Sequence, residues 1–589
     1  MTALSSRTSE EGPTDGDGVL FEPSAAPPAR RPRHRVPVGP ALALAAVAAL
    51  AVWGRLLDLT SSFWQDEAKP IWAYVDRGPG EILFGDYDID NHILFNLLTW
   101  ATTRVVGRAE VVYRMWSLIP ALASAGLVVA WAWRRIGAWA SVAVAAVIAV
   151  SPMHLDLAPQ ARAYGLTYLA FAGLLVCGDA YLQEHRRRDA LLFGGAGFLG
   201  AASFPIFGLP FALTAVAVLV GIPAKHRRRF LEALVPWGLG LLAITANAVP
   251  QLLTSAGDFQ AHRKLAPLGA SEIVLWPHRL VAPSFAWAAE RVPALRAVSW
   301  EHSTWEAVVS AALLYPLLVL GAVWLVRRGG WRTVTLLVLP VAGTYLLVVA
   351  RGMALWPRYT SYFLYPTVLL LAAGLHALGT WLWHRPEARA LALAGATLLL
   401  FPVLRGALES MGAIVAVSVL AVGGAALAAA GALPARGVAL LVTAIVVVAS
   451  VPVVTGFADG ARSFDEPLRE DWQAMAADLP ESPALLAATR VHAGLVYYLG
   501  MPDVSLEGGN SRKRINQYDE VRYTSGKELT DVLCRNPGEI ALVETAETGG
   551  RISLKCFENR GRAPRRSRYP MLLYGGYADL TVIPPLPSP

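Results

Sequence analysis

Hydrophobic runs of about 20 residues recur from residue 40 to residue 454, and they limit what this chain can fold into more than any other feature. Each run is long enough to cross the hydrocarbon core of a bilayer as a helix. In hydrocarbon every backbone polar group must be bonded within the protein, so a spanning segment is a helix or a strand of a closed barrel. The apolar–polar alternation of a barrel strand is missing from these runs. The sequence therefore predicts an α-helical polytopic membrane protein.

The composition and the charge pattern agree with this prediction. Hydrophobic residues make up 55% of the chain and charged residues 16%, whereas soluble domains have about 25% charged residues. The net charge of +7 could indicate a nucleic-acid-binding protein. The Lys and Arg residues, however, lie mostly in short clusters between the apolar runs, which is typical of loops held on the cytoplasmic face. We therefore expect a lipid bilayer as a partner and no nucleic acid.

The order of apolar runs and basic clusters predicts the topology. Residues 1–37 are polar and rich in Ser, Gly and Pro, so we expect a disordered cytoplasmic N-terminus. A signal peptide is the alternative, but the first run continues without a clear cleavage site, which favours an uncleaved helix. Counting onward gives about 13 transmembrane helices in a domain over 38–455, and every strong basic cluster then falls on the cytoplasmic side. The predicted helices are 38–57, 113–133, 137–151, 161–182, 190–204, 206–222, 231–252, 305–326, 333–350, 360–382, 389–404, 411–432 and 437–455.

This count places three longer segments outside the cytoplasm of a plasma-membrane protein. They are a first external loop over 58–112, a long external loop over 253–304 and a small C-terminal domain over 456–589. A short amphipathic helix over 471–479 and short apolar runs over 484–489 and 540–543 predict an α/β fold for that domain.

The three cysteines divide between the membrane region and this domain. Cys177 lies within an apolar run and is expected to be a small buried residue. Cys534 and Cys556 lie too far apart for a CxxC metal or redox motif, and outside the cytoplasm a disulfide between them is expected.

The first external loop carries the chemistry. Asp66 and Glu67 follow Phe63 and Trp64, and a second acidic cluster, Asp-Tyr-Asp-Ile-Asp-Asn-His, covers 86–92. Ordinary solvated loop acids would explain them equally well. A carboxylate can also accept the proton of an attacking hydroxyl in sugar transfer, and arginine can hold the departing phosphate. Arg114, Arg162, Arg351 and Arg358 lie near the predicted external face, although an arginine at a helix end can simply extend to the interface.

Four segments resemble the GT-C glycosyltransferases that use polyprenyl-phosphate sugar donors. The resemblance is to bacterial members of the protein mannosyltransferase and lipid A aminoarabinose transferase group, which are glycosyltransferase family 39-like, and it covers residues 40–380. The segments are Trp-Gln-Asp-Glu at 64–67, Asp-Asn-His at 90–92, Ser-Pro at 151–152 continuing to Gln-Ala-Arg-Ala-Tyr at 160–164, and Trp-Pro-Arg-Tyr at 356–359 followed by Tyr-Pro at 365–366.

The resemblance implies a role for each matching residue. Asp66 would be the catalytic base or its nearest partner, with Glu67 supporting it. The resemblance implies that His92, Arg162 and Arg358 help to position the donor phosphate or the acceptor. The other residues expected to bind the donor or the acceptor are Asn91, Arg114, Asp156, Tyr164 and Tyr359. Many relatives have Glu where this chain has Gln160, and Asp156, four residues earlier, is either its substitute or an ordinary interfacial acid.

The resemblance also implies the reaction and its partners. A sugar, a mannose-like hexose or a pentose, would pass with inversion from a polyprenyl-phosphate donor to a cell-envelope acceptor, which could be a glycan, a lipid or a protein. Some relatives use a divalent metal such as Mg or Mn and others do not, so metal dependence stays open. No Gly-rich phosphate loop is found, which disfavours a nucleotide-sugar donor.

Two rival functions remain at the level of sequence. A transporter or lipid flippase would need charged residues in mid-membrane and related halves, and neither is evident. A non-catalytic scaffold is suggested only by Gln160. The Ala-, Arg- and Pro-rich composition is typical of a high-GC bacterium such as an actinobacterium.

Overall fold

The computed structural model is mostly helical. It describes residues 38–56, 59–60, 63, 65–85, 87, 90–254, 280, 304–351, 357–383, 472–478, 485–488, 540–545, 558–559, 562–571 and 576–585. The predicted helices over 389–455 and the pair Cys534 and Cys556 lie outside these ranges, so the total of 13 helices and the disulfide stay predictions.

The helices of the membrane region are numbered here in chain order. They are α1 (Val38–Leu56), α2 (Gln65–Pro70), α3 (Pro79–Phe84), α4 (Ile93–Val106), α5 (Glu110–Arg135), α6 (Ala138–Val150), α7 (Pro152–Leu157), α8 (Tyr164–Glu184), α9 (Arg187–Ser203), α10 (Gly208–Gly221), α11 (Ala224–Thr245), α12 (Ala248–Thr254), α13 (Thr304–Gly329), α14 (Trp331–Ala350) and α15 (Leu364–Trp383). A π-helical turn, Ile71–Val75, follows α2, and 3₁₀ turns precede α10 and α15.

Within the described ranges, five helical segments are long and apolar enough to cross a membrane. They are Val38–Leu56, Glu110–Arg135, Tyr164–Glu184, Trp331–Ala350 and Arg358–Thr380. All five overlap spans predicted from the sequence, and the prediction of a multi-pass helical membrane protein is confirmed.

Two stretches differ from the sequence prediction. The pattern predicts a loop over 58–112, whereas much of it is helical, from α2 to α4. The 14 residues of α4 span only about 21 Å at 1.5 Å per residue, so α4 is too short to cross the bilayer. The predicted helix over 231–252 is instead divided into α11 and α12, and Asn247 at the division donates its side-chain amide to the carbonyl of Gly85 at 3.0 Å.

Small residues let the long helices approach closely in the core. A β-carbon at Gly165 would lie 1.7 Å from the carbonyl oxygen of Ser117, so α8 and α5 touch backbone to backbone there. Gly321 on α13 and Gly374 on α15 lie equally close to carbonyl groups of the facing helix, those of Leu370 and Leu317. Close backbone contact through glycine is a common way for membrane helices to pack.

The described part of the C-terminal region contains α16 (Trp472–Ala477) and four strands: β1 (Leu485–Ala488), β2 (Ile540–Thr545), β3 (Arg565–Met571) and β4 (Gly576–Ile583). Their order in one sheet is β1-β2-β4-β3, with β1 parallel to β2 and the other pairs antiparallel. The helix, β1 and β2 lie where the sequence pattern places a helix and two strands.

Candidate active site

Asp66 occupies the centre of the candidate site. It lies in the first turn of α2, and its side chain is 25% exposed. Its Oδ2 atom is 3.0 Å from Nη1 of Arg162 and 2.9 Å from Nη1 of Arg358. Its other carboxylate oxygen, Oδ1, takes part in neither of these two contacts. The fold thus brings together three residues of which the first and the last, Asp66 and Arg358, are 292 positions apart in the sequence.

A second acid extends this cluster on the other side of Arg162. Nη2 of Arg162 donates to Oδ1 of Asp90 at 2.8 Å and contacts Nε2 of His92 at 3.1 Å. Lys69 contacts Oδ2 of Asp90 at 2.8 Å. Because a guanidinium can only donate, Nε2 of His92 must be the acceptor. Arg162 is therefore held on two sides by carboxylates and on a third by a neutral imidazole.

Burial and charge set the protonation of these groups. Burial lowers the pKa of His92 to about 3, and the positive charge of Arg162 adds to that effect. Burial alone would raise the pKa of Asp90, but the charges of Arg162 and Lys69 outweigh it and hold that pKa well below its usual range. At neutral pH we therefore expect Asp90 to be an anion and His92 to be uncharged.

Glu67 serves a different purpose from its neighbour Asp66. Its side chain is fully buried and forms a two-pronged ion pair with Arg114, with Nε–Oε1 and Nη2–Oε2 distances of 3.0 Å each. The backbone N–H of Ala161 donates to Oε1 of Glu67 at 2.6 Å. Arg114 is also fully buried and donates to the carbonyl of Leu59 at 2.8 Å. This pair ties α2 and α5 to the turn that carries Arg162, and neither of its side chains is exposed to solvent.

The remaining predicted residues fall into two groups. Tyr164 and Tyr359 lie in the site, because the guanidinium carbons of Arg162 and Arg358 are 5.8 and 5.4 Å from their respective ring centres. Asn91 instead lies within the protein, where its amide donates to the carbonyl of Ile82 at 3.0 Å.

Asp156 and Gln160 also form part of the supporting structure. Asp156 accepts a bond from the amide of Gln160 at 3.2 Å, and both side chains are buried. The two residues therefore interact directly at the position where many relatives carry Glu.

Sequence reasoning missed two sets of residues. Lys69 follows Asp66 by three positions, which places both on one face of α2, and that spacing could have identified it. The other set is a buried chain: Arg55 donates to Nδ1 of His154 at 2.8 Å, and Nε2 of His154 contacts the hydroxyl of Tyr365 at 3.2 Å. His154 lies on α7, just before the turn that carries Arg162, and no sequence pattern links it to Arg55.

The acids that the structure describes at this site do not fit a divalent cation. Within the described ranges no group of three or more His, Cys, Asp or Glu side chains is placed to hold a metal ion. Asp66 and Asp90 are both engaged by cationic side chains, as is Glu67. A metal ion would have to displace lysine or arginine from these carboxylates.

Comparison with solved structures shows which folds this chain resembles. The fold is similar to the crystal structure of ArnT from Cupriavidus metallidurans in the apo state, with a TM-score of 0.51 and 17% sequence identity over 92% of this chain and 98% of that one. For the crystal structure of the same protein bound to undecaprenyl phosphate, the TM-score is 0.49 and the sequence identity is 16%, over 93% of this chain and 98% of that one. For the arabinosyltransferase EmbB from Mycobacterium smegmatis, the TM-score is 0.41 and the sequence identity is 14%, over 76% of this chain and 44% of that one. At these identities the similarity establishes the fold alone. No protein-family model matches the sequence, and no curated protein matches it.

Proposed function

We propose that this protein is an inverting GT-C glycosyltransferase that takes a sugar from a polyprenyl-phosphate donor and passes it to an acceptor outside the cytoplasm. The observation that carries the proposal is the placement of one partly exposed carboxylate, Asp66, between the guanidinium groups of Arg162 and Arg358. This arrangement combines a base and an anion-binding group within 3 Å of each other, as transfer from a phosphate donor requires.

The geometry divides the two oxygens of Asp66 between two tasks. Oδ2 accepts from Arg358 and forms an ion pair with Arg162, and these two contacts fix the carboxylate. Oδ1 takes the proton of the acceptor hydroxyl as its oxygen attacks the anomeric carbon of the sugar. The bond from that carbon to the phosphate oxygen breaks, and the lipid phosphate leaves as an anion. A single displacement from the opposite face inverts the anomeric configuration.

The net charge of the cluster suits this leaving group. Among the described residues of the cluster, two carboxylates, Asp66 and Asp90, face three cations, Lys69, Arg162 and Arg358, so one positive charge remains. Glu67 and Arg114 neutralise each other, and His92 is uncharged. A preorganised positive charge where negative charge develops is among the largest contributions to enzyme catalysis.

The orientation of the site follows from α8. Arg162 lies just before Tyr164 at the start of this helix, and the basic segment that begins at His185 follows its end. Its 21 residues span about 31 Å, the thickness of a bilayer core. With the basic segment in the cytoplasm, the site opens on the extracytoplasmic side, and the N-terminus is cytoplasmic. In this orientation the C-terminal domain over 456–589 is on the same side as the site and binds or orients the acceptor, which is an envelope glycan, lipid or protein.

The first test compares membranes containing the natural chain with membranes containing Asp66→Asn. Both are incubated with radiolabelled polyprenyl-phosphate mannose, other hexoses or pentoses and a crude cell-envelope acceptor fraction. We expect label to enter the acceptor with the natural chain and transfer to fall by at least about 100-fold with the variant, since a general base contributes roughly that much. Asp189→Asn, at the basic end of α9, is the matched control and should transfer normally.

The result also separates the rival functions. Transfer by the natural chain that survives Asp66→Asn would remove Asp66 from the role of base. No transfer from any donor, with equal amounts of folded protein, would contradict the enzyme function and favour a transporter, a flippase or a scaffold.

We further propose that the transfer step needs no metal ion, because lysine and arginine occupy the carboxylates. Transfer should be unchanged after dialysis against EDTA and unchanged on addition of Mg²⁺ or Mn²⁺. A loss that either ion restores would contradict this.

A further inference from the structure

Three basic turns lie at the end of the helices opposite to the candidate active site. They connect α8 to α9, α10 to α11 and α13 to α14. Their cationic residues are Arg186, Arg187, Arg188, Lys225, Arg227, Arg228, Arg229, Arg327, Arg328 and Arg332.

Tertiary contacts hold these turns together as one surface. The imidazole rings of His185 and His226 stack with centroids 4.2 Å apart and planes 19° apart. The hydroxyl of Tyr181 donates to the backbone carbonyl of His226 at 3.1 Å. The third turn is close by, because a β-carbon at Gly221, the last residue of α10, would lie 3.5 Å from Cγ of Arg332.

The charge of this surface is only partly compensated. Ten cationic side chains face the three carboxylates of the same turns, Glu184, Asp189 and Glu232, an excess of seven positive charges. The two ion pairs formed there are exposed: the side chain of Arg228 is 90% exposed and that of Arg186 is 69% exposed. Exposed ion pairs of this kind contribute little, so their guanidinium groups can exchange partners easily.

Apolar side chains border the cationic surface on the side of the membrane region. Leu192 on α9 is 48% exposed, and Leu231 and Val235 on α11 are 49% and 55% exposed. They lie within about two turns of Arg188 and Arg228 along their helices. A ligand that fits both parts has an anionic head and an apolar tail.

We infer that this surface, formed by the three basic turns and centred on the His185–His226 pair, binds the headgroups of anionic phospholipids. Guanidinium groups pair with phosphate oxygens through two parallel bonds, and the neighbouring leucine and valine side chains lie against the acyl chains. A soluble polyanion or free phosphate would leave the apolar border without a partner. The inference does not depend on the proposed glycosyl transfer, since α8 separates this surface from Asp66.

The test uses the full chain in phosphatidylcholine nanodiscs that contain a small fraction of spin-labelled phosphatidylglycerol or spin-labelled phosphatidylcholine. Electron paramagnetic resonance gives the immobilised fraction of each lipid, and their ratio gives the preference for the anionic headgroup. The variant is Arg227→Gln with Arg228→Gln and Arg229→Gln. The control is Arg77→Gln with Arg104→Gln and Arg108→Gln, which removes the same charge from exposed positions at the opposite end.

We expect the natural chain to prefer phosphatidylglycerol by roughly threefold or more at low salt, since each basic residue near a membrane surface favours anionic lipid. The preference should fall at least about twofold in the triple variant and persist in the control, and it should weaken as salt rises. Sodium phosphate should compete no better than sodium chloride at equal ionic strength. No preference in the natural chain, an equal loss in the control, or specific competition by phosphate would each overturn the inference.

Discussion

The buried pair of Glu67 and Arg114 gives the sharpest test of how the site is held. Glu67→Gln keeps the size of the side chain but removes its charge, so the buried guanidinium of Arg114 loses the carboxylate with which it forms a two-pronged ion pair. Removing one member of a buried ion pair typically costs about 3–5 kcal/mol, a large fraction of the roughly 5–15 kcal/mol by which native proteins are stable. The hydrogen bond from the N–H of Ala161 to residue 67 and the one from Arg114 to the carbonyl of Leu59 can persist. We therefore expect the free energy of unfolding to fall by about 3 kcal/mol.

The assay is equilibrium unfolding in mixed dodecylmaltoside–SDS micelles, followed by tryptophan fluorescence. Glu232→Gln is the matched control, because its carboxylate is 59% exposed in a surface pair with Arg228, and we expect a change below about 0.5 kcal/mol. Adding Arg114→Met to Glu67→Gln should recover part of the loss, since it removes the buried guanidinium that has lost its ion pair with Glu67. A loss below about 1 kcal/mol for Glu67→Gln, or no recovery in the double variant, would refute the electrostatic reasoning.

Three further predictions concern pH, hydrogen bonding and packing. In the unfolded chain His92 takes up a proton as the pH falls below 6.5, whereas in the folded protein its pKa is about 3. The free energy of unfolding should therefore fall by up to about 1.4 kcal/mol for each pH unit between these two values. The variant His92→Gln should make this pH dependence weaker. Tyr365→Phe removes the hydroxyl that links His154 to Ser124 and should cost about 1–3 kcal/mol in the same unfolding assay. Gly165→Ala should lower the free energy of unfolding by more than about 2 kcal/mol, because its β-carbon would collide with the backbone of Ser117. Gly126→Ala is the control and should be neutral or stabilising, because no atom lies near its β-carbon position. Equal effects of the two variants would contradict the packing argument.

The sequence by itself determined the helical membrane class of the fold, and it pointed to three residues that lie together in the structure. Hydrophobic runs must become helices in a bilayer, because their backbone groups have no other partner there. Short motifs around Asp66, Arg162 and Arg358 were enough to single these residues out, and the structure brings all three within ion-pairing distance. Local patterns succeed here because they depend on neighbours in the chain.

Only the tertiary structure decided which acid faces the site and which supports it. Asp66 and Glu67 are adjacent and chemically alike, yet one is partly exposed and the other fully buried. Their environments come from Arg114, Ala161 and Arg358, whose contacts with them span 47 to 292 positions along the chain. Pairings over such separations follow from how helices pack in three dimensions, and a local sequence pattern carries no record of them.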